Sequence, residues 1–296
     1  SFNGIGGHYG DENLPLLLET DEAFNTFKEL EINSLLITNI DHDHIDHYGS
    51  YTNLVEAFGI VISNVKDKCV INIDDTKLST FLRSGDISYS SSKNSNYKVN
   101  FPNSFNVGKN DYTITTKLIG EHFISNIVGA IALANQNGIS IDQCLHAIKH
   151  FDGVKRRTEY IGDFNGTNFY DDYGHHPTEI KATTKALKEN TSGKLIVVFQ
   201  PHRFTRTRDN YEDLRDSFGH SDLTLITDIY SAGEKPIPGI SSAMFEGKDI
   251  QYMKSPRLVP HYIKNIINPG DTVLTIGAGD ITLLGPQILK YLNENK

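Results

Sequence analysis

The sequence predicts an α/β protein in two parts, the second of them doubly wound. Short apolar runs recur at 14–18, 34–40, 69–73, 195–199, 223–227 and 271–276. Each is too short for a buried helix and suits a strand covered on both faces. Each also ends in a polar tip, and helix-length stretches separate the runs, as parallel strands require. The length, 296 residues, fits two domains of ~100–200 residues each.

Composition narrows the function classes. A net charge of −9 argues against nucleic acid as a main partner, because phosphate backbones attract basic faces. Cys69 and Cys144 match no disulfide framework or metal spacing, which points to a reducing cytoplasm. No apolar run approaches the ~20 residues of a membrane span. No signal peptide is expected, and the missing initiator Met leads us to expect a chain that begins inside a larger protein.

The opening block, residues 1–13, is Gly-rich and reads as loop. The run at 14–18 is expected as a buried strand delivering Glu19-Thr20-Asp21-Glu22. The run at 34–40 delivers Asp41-His42-Asp43-His44-Ile45-Asp46-His47 from a strand expected beside the first. Ligands of open α/β sheets bind at that edge. Oxygen-rich tips with an imidazole suit Mg²⁺ or Mn²⁺; the histidines leave zinc open, and a solvated acidic turn is the plain alternative. A helix at 51–61 and a strand at 69–73 continue the alternation. The Ser, Asn, Lys and Gly of residues 84–110 read as a small hairpin or surface insertion. Small residues after Gly120-Glu121-His122 make a helix that packs closely on a sheet, with His122 and Asn126 four apart on one face.

A boundary falls near Phe151-Asp152-Gly153, followed by the basic cluster Lys155-Arg156-Arg157. The stretch from Phe169 to Glu179 begins as an aromatic strand and ends where Pro177 suits the first turn of a helix. Between lie Asp171, Asp172, Tyr173, Gly174, His175 and His176. Such a turn exposes side chains and the first helical N–H groups to phosphate, metal or carboxylate. The bland alternative has Asp172 capping the helix and the histidines as surface polars. The strand at 195–199 leads into His202, Arg203 and Arg206, whose guanidinium forks favour carboxylates and phosphates. Gly277-Ala278-Gly279 lacks the third glycine of a dinucleotide fingerprint, so NAD is not expected. Metal-type tips in the first half and basic groups in the second point to phosphoryl chemistry.

With these residues in view, the chain resembles the Mur ligases of peptidoglycan synthesis. The matching stretches are Glu19 to Glu22, Thr38 to Asp46, Gly120-Glu121-His122, Arg156-Arg157, Asp171 to Glu179, Gln200 to Arg208 and Ala232 to Gly239. The resemblance implies ATP-dependent, ADP-forming ligation of L-alanine to UDP-N-acetylmuramate through an acyl phosphate. It implies that Glu19 and His44 coordinate Mg²⁺, that Arg157 reaches the ATP phosphates, and that Asp172 contacts the ribose. It places Tyr173, His175, His202, Arg203 and Arg206 on the amino-acid and acyl-phosphate side of the cleft, with His175, Arg157, Arg203 and Arg206 in catalytic roles.

Two departures matter. Phe123 stands where the family has an adenine-reading Asn, which leaves Asn126, with His122, as the nearer candidate. No Gly-x-x-x-x-Gly-Lys-Ser/Thr phosphate loop occurs, and no counterpart of the family's UDP-binding N-terminal domain. The expected organisation is therefore the later part of a central ATP-binding domain (1–152) and a complete Rossmann-like C-terminal domain (153–296). Such a chain is expected not to turn over ATP alone. Two other readings stand beside the ligase: a relative that adds a preformed peptide to UDP-muramate, and a non-catalytic nucleotide- or precursor-binding protein.

Overall fold

Strand and helix alternate along the chain, which the structure, a computed structural model, describes over residues 15–20 and 22–295. The chain divides into two units, residues 1–117 with 121–152, and residues 118–120 with 153–296. Residues 1–14, Asp21 of the first acidic tip and Lys296 lie outside the described residues.

In the first unit, β1 (Leu35–Ile37), α1 (Ile45–Tyr48), α2 (Tyr51–Asn64) and β2 (Cys69–Asn72) are followed by β3 (Ile87–Ser90), β4 (Tyr97–Asn100), β5 (Ser104–Val107) and β6 (Asn110–Thr113). The six strands lie in chain order; β1 to β4 are parallel, and β4, β5 and β6 are antiparallel. Ser50 Oγ caps α2 by accepting from the Asn53 amide (3.2 Å), and α2 buries Leu54, Ala57, Val61 and Ile62 with Ile37 and Ile71. The helices α3 (Glu121–Gln136) and α4 (Ile141–Lys149) follow. The small residues of α3 matter as expected: a Cβ on Gly129 would lie 2.9 Å from Tyr89 Cζ.

One expectation fails in this unit and another holds only in part. The run at 14–18 is not a buried strand over its described residues: Pro15 to Thr20 is irregular, and Leu16, Leu17 and Leu18 are 77%, 85% and 56% exposed. An apolar run stays in a sheet only if a neighbour takes its amides; β1 pairs with β2 alone among the described residues, and Pro15 has no N–H to offer. Residues 84–110 do hold the expected hairpin, β4 and β5 paired antiparallel, but they are not a surface insertion. Tyr89, Tyr97, Val99 and Phe105 are buried, and β3 extends the parallel sheet. The polar sequence hid this because Ser90 is buried against Asp74, whose carboxylate takes the Ser90 hydroxyl (2.5 Å) and the Ser91 amide (2.7 Å). Burial opposes the Asp74 charge, but these serine donors outweigh it and hold the carboxyl well below the usual range.

The second unit contains β7 (Glu159–Phe164), β8 (Thr167–Asp172), α5 (Pro177–Glu189), β9 (Leu195–Phe199), α6 (Phe204–Asp209), α7 (Tyr211–Arg215) and β10 (Leu223–Ile226). Then come β11 (Ile250–Tyr252), α8 (Val259–Ile266), β12 (Thr272–Ile276) and α9 (Leu284–Glu294). The strand order is β11-β10-β9-β12-β8-β7, parallel except for β7. Successive strand residues face opposite ways. Ile196, Val198 and Val273 meet α8 and α9, while Leu195, Val197, Phe199 and Leu274 meet α5 and α7. Helices therefore cover both faces, as a doubly wound sheet requires. The last strand, β12, lies between β8 and β9, so the ends of these three strands meet at the point where the strand order changes direction.

Candidate functional site

The C-terminal ends of β8, β9 and β12 form a polar rim in the second unit. The Gly277 amide donates to Asp172 O (3.1 Å) and the Gln200 amide to Ile276 O (3.1 Å), which locks the three strand ends together. Asp172 is 3% exposed, and its oxygens accept from the Gly174 amide (2.7 Å) and the Thr158 amide (2.7 Å). Burial raises its pKa, and the two amides and Arg157 only partly offset that. Its neighbour Asp171 is buried too, accepting from Thr275 Oγ1 (2.6 Å) and Thr282 Oγ1 (2.7 Å). The two aspartates therefore brace the turn from within, and the bland alternative of Asp172 as helix cap also fails.

His176 is the cap. Its Nδ1 accepts from the Thr178 amide (3.4 Å), while Glu179 Oε2 reaches back to the His175 (3.0 Å) and His176 (3.2 Å) amides. This reciprocal arrangement is a capping box, and it occupies donors that the sequence reading left open to a ligand. Glu179 Oε1 also lies 3.3 Å from Arg157 Nη1. Burial works against the Glu179 charge, but His175, the two amides and Arg157 outweigh it and lower its pKa.

Four aromatic rings line the rim. Tyr173 meets His175 edge-on at 5.4 Å, His175 lies 5.8 Å from His202, and His202 stacks on Tyr230 at 5.6 Å. His202 Nδ1 is buried without a hydrogen-bond partner. Burial, aided by the charges of His175, Arg206 and Arg203, pushes the His202 pKa down to about 4, with Glu234 pulling the other way. Arg203 holds a left-handed backbone (φ 67°) at the start of α6, and its amide donates to Tyr230 O (2.8 Å). Glu234 fastens the same turn by accepting from the Thr205 amide (3.0 Å) and hydroxyl (2.6 Å). The structure thus brings Tyr173, His175, His202 and Arg203 together at the ends of β8 and β9, with Arg206 one turn into α6. The rim offers imidazoles and guanidinium groups, and its carboxylates are turned inward or paired.

In the first unit, His122 and Asn126 stand one turn apart on α3, and the His122 ring leans on Phe123 at 4.3 Å. His44 caps α1 in the left-handed region (φ 56°), and its amide donates to Asp43 Oδ1 (2.9 Å). Glu19 lies in the exposed irregular segment, and among the described residues no strand beside β1 carries it. Among the described residues, no three His, Cys, Asp or Glu side chains group as a metal cage.

Comparison with known proteins places this geometry. The profile of the Mur ligase middle domain matches residues 21–134, and that of the Mur ligase glutamate ligase domain matches residues 156–279. The UDP-N-acetylmuramate–L-alanine ligase of Brucella anthropi is 31% identical over 318 residues, covering 98% of this chain and 68% of the relative. The chain belongs to the Mur ligases. The namesake ligases of Desulforamulus reducens and Allorhizobium ampelinum are 32% and 35% identical, with 94% and 90% of this chain covered. The chain spans 65% and 63% of their lengths, slightly under two thirds. Among solved Mur ligases, the UDP-N-acetylmuramate–alanine ligase of Thermotoga maritima shares the fold with a TM-score of 0.72 at 24% identity, covering 91% of this chain and 62% of that one.

Sequence reading missed several rim residues of this Mur ligase chain. Glu179 stood three residues after the cap, a legible capping-box signal. Arg156 and Glu234 lay inside matched stretches without a role, and nothing in the sequence marks Tyr230.

Proposed function

We propose that this chain forms part of an ATP-dependent, ADP-forming ligase that joins L-alanine to UDP-N-acetylmuramate. The observation that carries the reading is the imidazole and guanidinium rim at the ends of β8 and β9, in a chain whose relatives bear that enzyme's name. In the proposed reaction the muramate carboxylate oxygen takes the γ-phosphoryl group and ADP leaves. The amine of L-alanine then attacks the acyl carbon, the C–O bond to phosphate breaks, and the nitrogen loses a proton.

Arg206 and Arg203 hold the carboxylate of the amino acid, because the planar fork matches it with two parallel hydrogen bonds. Tyr173, His175 and His202 line the place where the small side chain sits. Arg157 leaves Glu179 for the ATP phosphates, exchanging one anionic partner for a more highly charged one. His122 and Asn126 read the adenine. Asp172 supports the ribose side by fixing the turns at Thr158 and Gly174, since its own oxygens are engaged internally. Glu19 and His44 are the residues that would hold Mg²⁺, which when bound spreads the charge of the phosphates.

The test is ADP release by the complete gene product with UDP-N-acetylmuramate, L-alanine and Mg²⁺. Release that needs L-alanine supports the reading. Release with a preformed peptide in place of L-alanine favours the peptide-adding relative, and nucleotide binding without release favours a binding protein. Ser1 to Lys296 by itself carries no phosphate loop and is expected to release none, because several preorganised donors, each worth roughly 2.7–4 kcal/mol in comparable sites, are missing together.

A further inference from the structure

Arg156 has no part in the roles above, yet it touches three of the turns that build the rim. Its backbone is left-handed (φ 60°), which a non-glycine residue keeps only where its surroundings over-determine it. Its amide donates to Glu159 Oε2 (2.8 Å), and its carbonyl accepts from the Tyr173 amide (2.6 Å). Its Nη2 donates to the carbonyls of Gly277 (2.6 Å) and Gly279 (3.2 Å). Its Nε is buried, has no hydrogen-bond partner, and lies 3.6 Å from Asp171 Oδ2. The guanidinium carbon lies over the Tyr173 ring, 4.7 Å from its centre.

Two arms run from this side chain to the same place. One passes through the Tyr173 ring, which meets His175 edge-on. The other passes through Gly279, which is packed so tightly on Tyr230 that an added Cβ would lie 2.6 Å from Tyr230 Cγ. Tyr230 in turn stacks on His202. The arms close where His175 and His202 stand 5.8 Å apart. We propose that Arg156 is a positioning residue that fixes the separation of the Tyr173–His175 wall from the His202–Tyr230 wall, and so the width of the slot for the small amino acid. The ligand of the slot rests on the ligase reading above; the contacts between Arg156 and the two walls do not.

Arginine suits this task because its Nη2 serves two carbonyls while the guanidinium carbon sits over the Tyr173 ring. Lysine keeps the charge, but its single nitrogen cannot sit at the two carbonyls and over the ring at once. A residue that acts by charge alone would therefore tolerate R156K, whereas one that spans both arms would not.

The experiment uses Ser1 to Lys296 with isotope-labelled histidine and tyrosine, followed by NMR across pH. The charged and titratable groups acting on His202 are His175, Arg203, Arg206 and Glu234, and all are kept. In R156K and in R156A, the His202 and Tyr230 ring resonances should move, and the His202 midpoint should rise by about one pH unit or more as its ring gains water. Dispersed amide spectra confirm that each variant is folded, and R156K serves if R156A is not. His202 and Tyr230 resonances at wild-type positions in R156K overturn the proposal, whatever R156A does. In the complete gene product, R156K should raise KM for L-alanine ~10-fold and leave KM for ATP within ~2-fold. It should also narrow the preference for L-alanine over L-valine, and equal effects on both substrates count against the slot. A gene product that never uses L-alanine removes the ligase reading, while the NMR result still decides where Arg156 acts.

Discussion

Glu179 joins two parts of the rim: one oxygen lies 3.3 Å from Arg157 Nη1, and the other takes the amides of His175 (3.0 Å) and His176 (3.2 Å). The cap of α5 and the arginine proposed to reach phosphate thus depend on one carboxylate. Glu179→Ala should lower the stability of the second unit by about 0.5–2 kcal/mol, the usual range for a lost helix cap, read by chemical denaturation at neutral pH. Because folding lowers the Glu179 pKa, its contribution is full above the ordinary carboxylate range and is lost as the pH falls through the folded value. The gap between wild type and Glu179→Ala should therefore close in acid. A gap that is constant with pH would show that the carboxylate charge is not what stabilises the cap.

His202 offers a second pH signature. Its pKa falls from 6.5 to about 4, chiefly through burial. As the pH drops below 6.5 the unfolded chain takes up a proton that the folded chain refuses until about 4, so His202 costs stability progressively across that window. An NMR titration should place its midpoint well below that of a free imidazole, and His202→Gln should flatten the acid limb of the stability profile. A midpoint near 6.5 would mean that the ring is hydrated and unconstrained.

Arg206→Lys tests the amino-acid end of the proposed reaction. Lysine supplies charge without the two-pronged geometry, so in the complete gene product KM for L-alanine should rise ~10-fold while KM for ATP changes less than ~2-fold. A matched rise in both constants would move Arg206 away from the carboxylate of alanine.

His44→Ala tests the proposed metal ligand. Mg²⁺ held by one or two protein groups leans heavily on each of them. The variant should need several-fold more Mg²⁺ for half-maximal turnover, with a lower plateau. A Mg²⁺ requirement identical to wild type would take His44 out of the site.

Much of the second unit was legible in the residues alone. The apolar runs at 195–199, 223–227 and 271–276 are strands because only two-sided burial tolerates continuous hydrophobicity, and Pro177 starts a helix because its fixed φ suits the first turn. Periodicity is a local property, so a local reading captures it. The run at 14–18 looked the same and is not a strand over its described residues, because an apolar stretch gains nothing from a sheet without a neighbour to take its amides. The serine-rich residues after 84 looked exposed, yet β3 is central, because hydrogen bonds donated to Asp74 supply what apolar side chains supply elsewhere. The motif 171–179 announced a site, but its division of labour is tertiary. Asp171 and Asp172 turn inward to brace loops, while His202 and Tyr230, from the neighbouring strand ends, complete the row of rings. Residue types and spacings show which titratable and basic groups the chain carries. Which of those groups face a ligand is settled by which donors the folded loops have already used, and that depends on residues such as Thr158 and Gly277 whose own letters say nothing of it.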